Sequence, residues 1–206
     1  MELFLTSSVH AVAHDIARKV NLAKAKKLVF IDTAAEPETG DKSWLKNDRQ
    51  ALVNAGFLVT DYTLTGKSET QLKNDLAAFD YIYMSGGDTS YLLKQARLSG
   101  FISLVRKLVK DKIYIGTSAG SIIAGPKIPA YLTEDSPNMK SDDLAAFGLV
   151  NFTIAPHWGS DDFKQKYLGG RMKIAYEKRL SPLVLLSDSQ YIHVLNGKME
   201  IVDVTK

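Results

Sequence analysis

Residues 112–125, from Lys112 to Gly125, read KIYIGTSAGSIIAG. The run Lys112-Ile113-Tyr114-Ile115 breaks off at Gly116-Thr117-Ser118-Ala119-Gly120, and an apolar segment resumes at Ile122. A strand that stays apolar at successive positions is buried on both faces, which is the habit of a parallel sheet covered by helices. The small residues then allow a sharp turn into a helix. Either these glycines only let strand and helix pack closely, or cradle an anion, or the turn presents Ser118 as a nucleophile. The spacing satisfies G-x-S-x-G, in which a strained turn exposes the serine hydroxyl. Its position between a buried strand and a helix favours the nucleophile. The helix would add its dipole and free N–H groups, with the Ala119 N–H placed to stabilise an oxyanion.

Working outward, strand-like and helix-like stretches alternate. Strands are expected at Glu2–Thr6, Lys27–Thr33, Phe57–Leu64, Asp80–Met84 and Lys112–Ile115. Helices are expected at His10–Val20, Ser43–Gly56, Ser68–Phe79, Ser90–Leu98 and Phe101–Lys110. Trp44, Leu45, Ala51, Leu52 and Ala55 mark the apolar side of the second helix, and Ser68 with Gln71 reads as a capping box. This alternation predicts an α/β fold: a parallel sheet in a three-layer arrangement, with helices on both faces. Ligands in such sheets lie beyond the carboxyl ends of the strands. Both Ser118 and the Ser85-Gly86-Gly87-Asp88-Thr89 stretch fall there. Further on, residues 127–143 read as an irregular loop and Val150–Ala155 as a strand leading into Pro156-His157-Trp158-Gly159. Asp161–Leu180 is broadly helical with a kink at Gly169-Gly170, and Leu183–Ser187 is a strand. Tyr191–Leu195 and Met199–Val204 form a hairpin about Asn196-Gly197. No repeat or linker interrupts this order, so a single domain over residues 1–206 is expected.

The balance of 26 Lys and Arg against 23 Asp and Glu leaves a net charge of +3, without basic runs interleaved with aromatics, so nucleic acid is not an expected partner. There is no cysteine, which excludes a thiol nucleophile, a thiolate metal site and disulfides, and suits a reducing compartment. No segment approaches the roughly 18 apolar residues that span a bilayer. The expectation is a soluble cytoplasmic protein, with no membrane partner and no cofactor.

A serine nucleophile needs a base. The four histidines are His10, His14, His157 and His193. His10 and His14 are spaced for zinc, but HAVAH lacks the glutamate of the metalloprotease signature, so a solvated helix face is expected and no metal. His193 alternates with Ile192 and Val194 on a strand and reads as surface or half-buried. His157 follows a strand end and a proline, where a side chain can be aimed, and is the expected base. For the acid that orients it, Asp188, Glu134, Asp135, Asp161 and Asp162 all stay open, the last two reading more readily as helix cap and first-turn acid. Gly86-Gly87 suits a second oxyanion donor, because backbone without a side chain can approach a substrate closely.

With MELFLTSS, FLVTDYTL, MSGGDTSYLLK, KIYIGTSAGSIIAGPKI, IAPHW and LLSDSQYIHVLNGK in hand, the chain resembles the peptidase E family of serine peptidases, which includes aspartyl dipeptidases and cyanophycinases. The resemblance runs nearly end to end. It implies a parallel α/β sheet related to class I glutamine amidotransferases, and a Ser, His, acid order that falls on Ser118, His157 and Asp188. The family commonly has glutamate at the last position, so this chain is shorter there by one methylene. An acid of functional importance after the elbow falls on Asp135 or its neighbour Glu134. The oxyanion donors fall on Gly87 and Ala119. The implied substrate is a short peptide, with an acidic residue on the N-terminal side of the cleaved bond. Lys127, Lys140, Lys164, Lys166 and Arg171 are eligible to recognise that acid. The rival readings are an esterase with Ser118, Asp135 and His157 in that order, and a non-catalytic ligand-binding module.

Overall fold

A computed structural model describes residues 1–20, 26–132, 144–180 and 182–206. Its larger sheet has seven strands among the described residues: β1 (Glu2–Thr6), β2 (Lys27–Ile31), β3 (Leu58–Tyr62), β4 (Tyr81–Met84), β5 (Ile113–Thr117), β8 (Gln190–Leu195) and β9 (Lys198–Asp203). Their order is β3-β2-β4-β5-β1-β8-β9. The first five run parallel, while β8 is antiparallel to β1 and β9 antiparallel to β8. The sheet is therefore mixed rather than wholly parallel, because the Asn196-Gly197 hairpin docks on the flank of β1. Two short strands, β6 (Thr153–Ala155) and β7 (Leu183–Leu185), pair in parallel as a separate sheet.

Alternation along the central strands divides the core. Leu3, Leu5, Ile82, Met84 and Tyr114 pack into one cluster, with Phe4, Tyr81, Tyr83 and Ile115 in the other. Helices α1 (Val9–Lys19) and α2 (Ser43–Asn54) cover the second face. Helices α3 (Glu69–Asp75), α4 (Thr89–Leu98) and α5 (Phe101–Leu108) cover the first. This gives the three layers that buried parallel strands require. The Ser68–Gln71 capping box is formed.

Two local expectations change, and a third holds. The helix after the elbow, α6 (Ala119–Ile122), is a single buried turn, too short for a sizeable dipole; its Gly120, Ser121 and Ile122 N–H groups are bonded to Ser85 O and Ser118 O. The stretch from Asp161 is helical with its kink at the expected glycines: α7 (Asp161–Lys166), a wide turn over Tyr167–Arg171 with non-helical Gly170, and α8 (Met172–Glu177). His193 is buried, stacked on Phe4 at 4.5 Å and hydrogen-bonded to Glu2 at 2.9 Å and Glu200 at 3.1 Å. Its face of β8 is closed by carboxylates from both neighbouring strands, which a strand read alone cannot show. No helix among the described residues is long and apolar enough to cross a membrane.

Register brings the carboxyl ends together. Thr6 pairs with Thr117 and Met84 with Gly116, so the turns after β1, β4 and β5 are neighbours. Tyr191 pairs with Thr6, so the start of the reversed strand β8 joins the same edge.

Candidate active site

Ser118 has φ 49° and ψ −108°, a conformation that non-glycine residues rarely adopt. Its surroundings hold it there. The Ser118 N–H donates to Thr6 O at 3.1 Å and Gly120 N–H to Ser85 O at 3.1 Å. The Ser121 hydroxyl donates to Thr6 O at 2.7 Å and Gly116 O at 2.8 Å, tying α6 to the strand ends. A Cβ on Gly116 would come within 2.6 Å of Gly120 O, and one on Gly120 within 2.1 Å of Met84 O. The glycines thus do serve close packing, and the same packing forces the serine into its strained turn.

The structure brings Ser118, His157 and Asp188 into one hydrogen-bonded line. Ser118 Oγ lies 3.0 Å from His157 Nε2, and His157 Nδ1 lies 2.7 Å from Asp188 Oδ1. His157 has φ 60°, and Phe163 stacks on its ring at 4.3 Å. Burial of Asp188 works against its charge, but hydrogen bonds from His157 and Ser7 outweigh it and hold the carboxyl below its ordinary range. An ionised Asp188 places the proton on Nδ1 and leaves Nε2 to accept from Ser118. Asp188 does not end a strand as expected. It lies beyond β7 in the turn into β8, and the antiparallel pairing of β8 with β1 delivers it to the edge.

Ser7 escaped the sequence reading. Fully buried at the end of β1, it accepts the His157 backbone N–H at 2.7 Å and donates to Asp188 Oδ1 at 2.6 Å. The available signal was a pair of hydroxyl residues, Ser7-Ser8, ending a strand of the sheet that carries the elbow. Asp48 escaped as well. It sits buried on α2 and accepts from Tyr83 Oη at 2.8 Å and from the His10 backbone N–H at 3.3 Å.

Gly86 and Gly87 follow β4 beside the elbow. A Cβ on Gly86 would lie 3.3 Å from Ser118 Cβ. Gly87 has φ 125°, and a Cβ there would reach 2.2 Å from Ala34 O. Among the described residues no atom accepts a hydrogen bond from the Gly87 or Ala119 N–H.

A cavity of about 610 Å³ opens over these groups and is also lined by Lys166 and Arg171. The Arg171 guanidinium lies 5.6 Å from the ring centres of both Tyr131 and Tyr167. Lys127 and Lys164 do not line this cavity. Glu134, Asp135 and Lys140 lie outside the described residues. Asp161 and Asp162 form the first turn of α7 behind the cap residue Ser160, and neither hydrogen-bonds to His157. Among the described residues no group of three or more His, Asp or Glu side chains could hold a metal ion.

The chain matches the model of peptidase family S51 over residues 3–202. It is 30% identical to the peptidase Lin0382 of Listeria innocua, over 96% of this chain and 99% of that protein. It is 28% identical to peptidase E of Salmonella arizonae, over 84% of this chain and 75% of that protein. The crystal structure of a candidate peptidase E protein from Listeria monocytogenes superposes with a TM-score of 0.85 at 27% identity, covering 98% of each chain.

Proposed function

The chain belongs to peptidase family S51 and is a serine-type peptidase, and we propose that it hydrolyses short peptides, dipeptides among them, with Ser118 as nucleophile, His157 as base and Asp188 as orienting acid. The observation that carries this reading is the unbroken line from Ser118 Oγ through the His157 ring to Asp188, at 3.0 and 2.7 Å. In it, Nε2 takes the serine proton as Oγ attacks the scissile carbonyl carbon. The imidazolium so formed is stabilised by Asp188. The Gly87 and Ala119 N–H groups receive the oxyanion, each such donor being worth about 3–4 kcal/mol in the transition state. His157 returns the proton to the departing amine, and water then releases the acyl group from Ser118 by the same steps.

A preference for an acidic residue N-terminal to the cleaved bond rests on Arg171 and Lys166, which among the described residues are the two of the eligible cations that reach the cavity. Asp135 or Glu134 is kept for a substrate-binding role rather than as the partner of His157, whose Nδ1 already faces Asp188.

The test is labelling with a serine-directed fluorophosphonate, followed by a dipeptide panel. Rapid labelling of the native protein, lost in Ser118→Ala together with a fall in kcat of roughly 10⁴-fold or more, is expected. Near-normal turnover by folded Ser118→Ala would overturn the reading.

A further inference from the structure

One end of the cavity is built from groups that the hydrolytic reading does not use. His10 stands in the first turn of α1, two residues beyond Ser8, with its side chain about half exposed (49%). Its Nδ1 is turned inward, 2.9 Å from Ser8 Oγ and 3.2 Å from Asp48 Oδ1. Asp48 is fixed in turn: its side chain is 4% exposed, and it accepts from Tyr83 Oη and the His10 backbone N–H. Among the described residues nothing bonds to His10 Nε2. That nitrogen is carried by a residue lining the cavity that holds Ser118.

The other wall of this end is Trp44, one helical turn before Asp48 on α2. Its ring comes 3.6 Å from where a Gly86 Cβ would stand, against 3.3 Å for Ser118 Cβ, so the indole and the nucleophile flank the same glycine. An indole and a clamped imidazole thus line the cavity that holds Ser118. His10 and Arg171 reach the cavity from opposite faces of the sheet. Helix α1 packs in the cluster of Phe4, whereas Leu132, next to the Tyr131 that faces Arg171, packs in that of Leu3.

We propose that His10, clamped by Asp48, binds a carboxylate of the peptide substrate at the end of the cavity opposite Arg171. This rests on the peptidase reading and names a substrate feature that the site selects. A short peptide offers a carboxylate from two sources, its C-terminus and an acidic side chain. Imidazolium is the form that attracts either. The hydrogen bond that His10 Nδ1–H donates to Asp48 raises the pKa of His10 against the opposing effect of burial, and the charges of Asp48 and Asp188 act in the same direction as that bond. Among the described residues the other acids lining the cavity are Glu38, Asp88, Asp162 and Asp188, and none hydrogen-bonds to Nε2; Asp88 Oδ1 caps α4 by accepting from the Tyr91 N–H, and Asp188 Oδ1 is engaged by His157 and Ser7. Loss of a hydrogen bond to a charged group costs about tenfold or more in affinity.

The experiment measures binding by calorimetry in a Ser118→Ala background, so that it does not depend on turnover. The probes are aspartyl-leucine, its C-terminal amide, and asparaginyl-leucine. With His10 intact, removing one of the two carboxylates should weaken binding about tenfold or more. With His10→Gln added, that same penalty should shrink toward one. Collapse of the amide penalty identifies the C-terminus as the source, and collapse of the asparaginyl penalty identifies the side chain. Penalties of unchanged size in the His10→Gln protein, or no penalty with His10 intact, overturn the proposal. Fluorophosphonate labelling of the protein with Ser118 present separates the two readings. Rapid labelling with unchanged penalties sinks this subsite alone, whereas absent labelling sinks the peptidase reading.

Discussion

Asp188 Oδ1 takes two hydrogen bonds at once, from His157 Nδ1 at 2.7 Å and from Ser7 Oγ at 2.6 Å. An aspartate placed between β7 and β8 therefore reaches both partners. Asp188→Asn keeps the size but offers the ring an amide N–H, which favours the wrong tautomer. A fall in kcat of about 10³–10⁴-fold is expected, with Ser118 still in place, and turnover within tenfold of the parent would exclude Asp188 as the orienting acid. The same group sets a pH dependence of stability. Its folded pKa is lowered, so its contribution is present above the unfolded carboxylate value near ~3.9 and is lost as pH falls through the folded value. Urea midpoints of the parent and Asp188→Asn should therefore differ more at pH 7 than at pH 3. Ser7→Ala leaves the side chains of Ser118, His157 and Asp188 untouched but frees one side of the carboxylate. Its kcat should fall about fivefold to tenfold with little change in KM, since a net hydrogen bond is worth about 1 kcal/mol. Ser118 and His157 were legible because each lies in a local motif. Ser7 was not, because its two partners lie 150 and 181 positions away.

At the scale of elements, the elbow is a contact between a strand end and a one-turn helix, and Gly120 is where they touch. Gly120→Ala puts a methyl 2.1 Å from Met84 O, a backbone atom that cannot swing aside. The site must open or the protein must lose stability, by on the order of 3 kcal/mol for an overpacked position. Gly169→Ala is the matched control, since a Cβ there meets nothing within 4 Å. Thermal melts should show a large loss for the first and a near-neutral change for the second. Similar losses for both would mean that generic glycine replacement, not contact at the elbow, decides the outcome. The strands were legible from apolar runs bounded by turn residues, but not all of their ends: β6 begins at Thr153 rather than Val150, and β7 ends at Leu185 rather than Ser187. The length of α6 was not, because Ser121-Ile122-Ile123-Ala124 carries no local stop before Gly125. Nor was the burial of Asp48: it stands beside the apolar side of α2, and what stabilises it there is Tyr83 from a strand that arrives 35 residues later.

At the scale of the molecule, the site exists because ends of strands distant in sequence are level along one edge. The parallel half of the sheet was legible, since continuous apolar runs alternating with helices leave few other arrangements. The placement of the β8–β9 hairpin was not: Asn196-Gly197 announces the turn, but nothing local says that β8 runs antiparallel against β1. His193 lies where the three strands meet. It stacks on Phe4 of β1, and its two ring nitrogens face Glu2 of β1 and Glu200 of β9. Replacing it by Leu keeps an apolar side chain against Phe4 and removes both hydrogen bonds, leaving carboxylates that can turn to solvent. A loss of about 1–3 kcal/mol in unfolding free energy is expected. The backbone pairing of β1 with β8 continues through Tyr191 and Thr6 without help from His193, and that pairing is what fixes the turn holding Asp188. His193→Leu should therefore lower the urea midpoint while kcat for a cleaved dipeptide stays within about twofold of the parent below the transition. A parallel fall in kcat would show that the hairpin reaches the active site through side chains rather than through the sheet's hydrogen bonds, and that the edge is less rigid than its pairing implies.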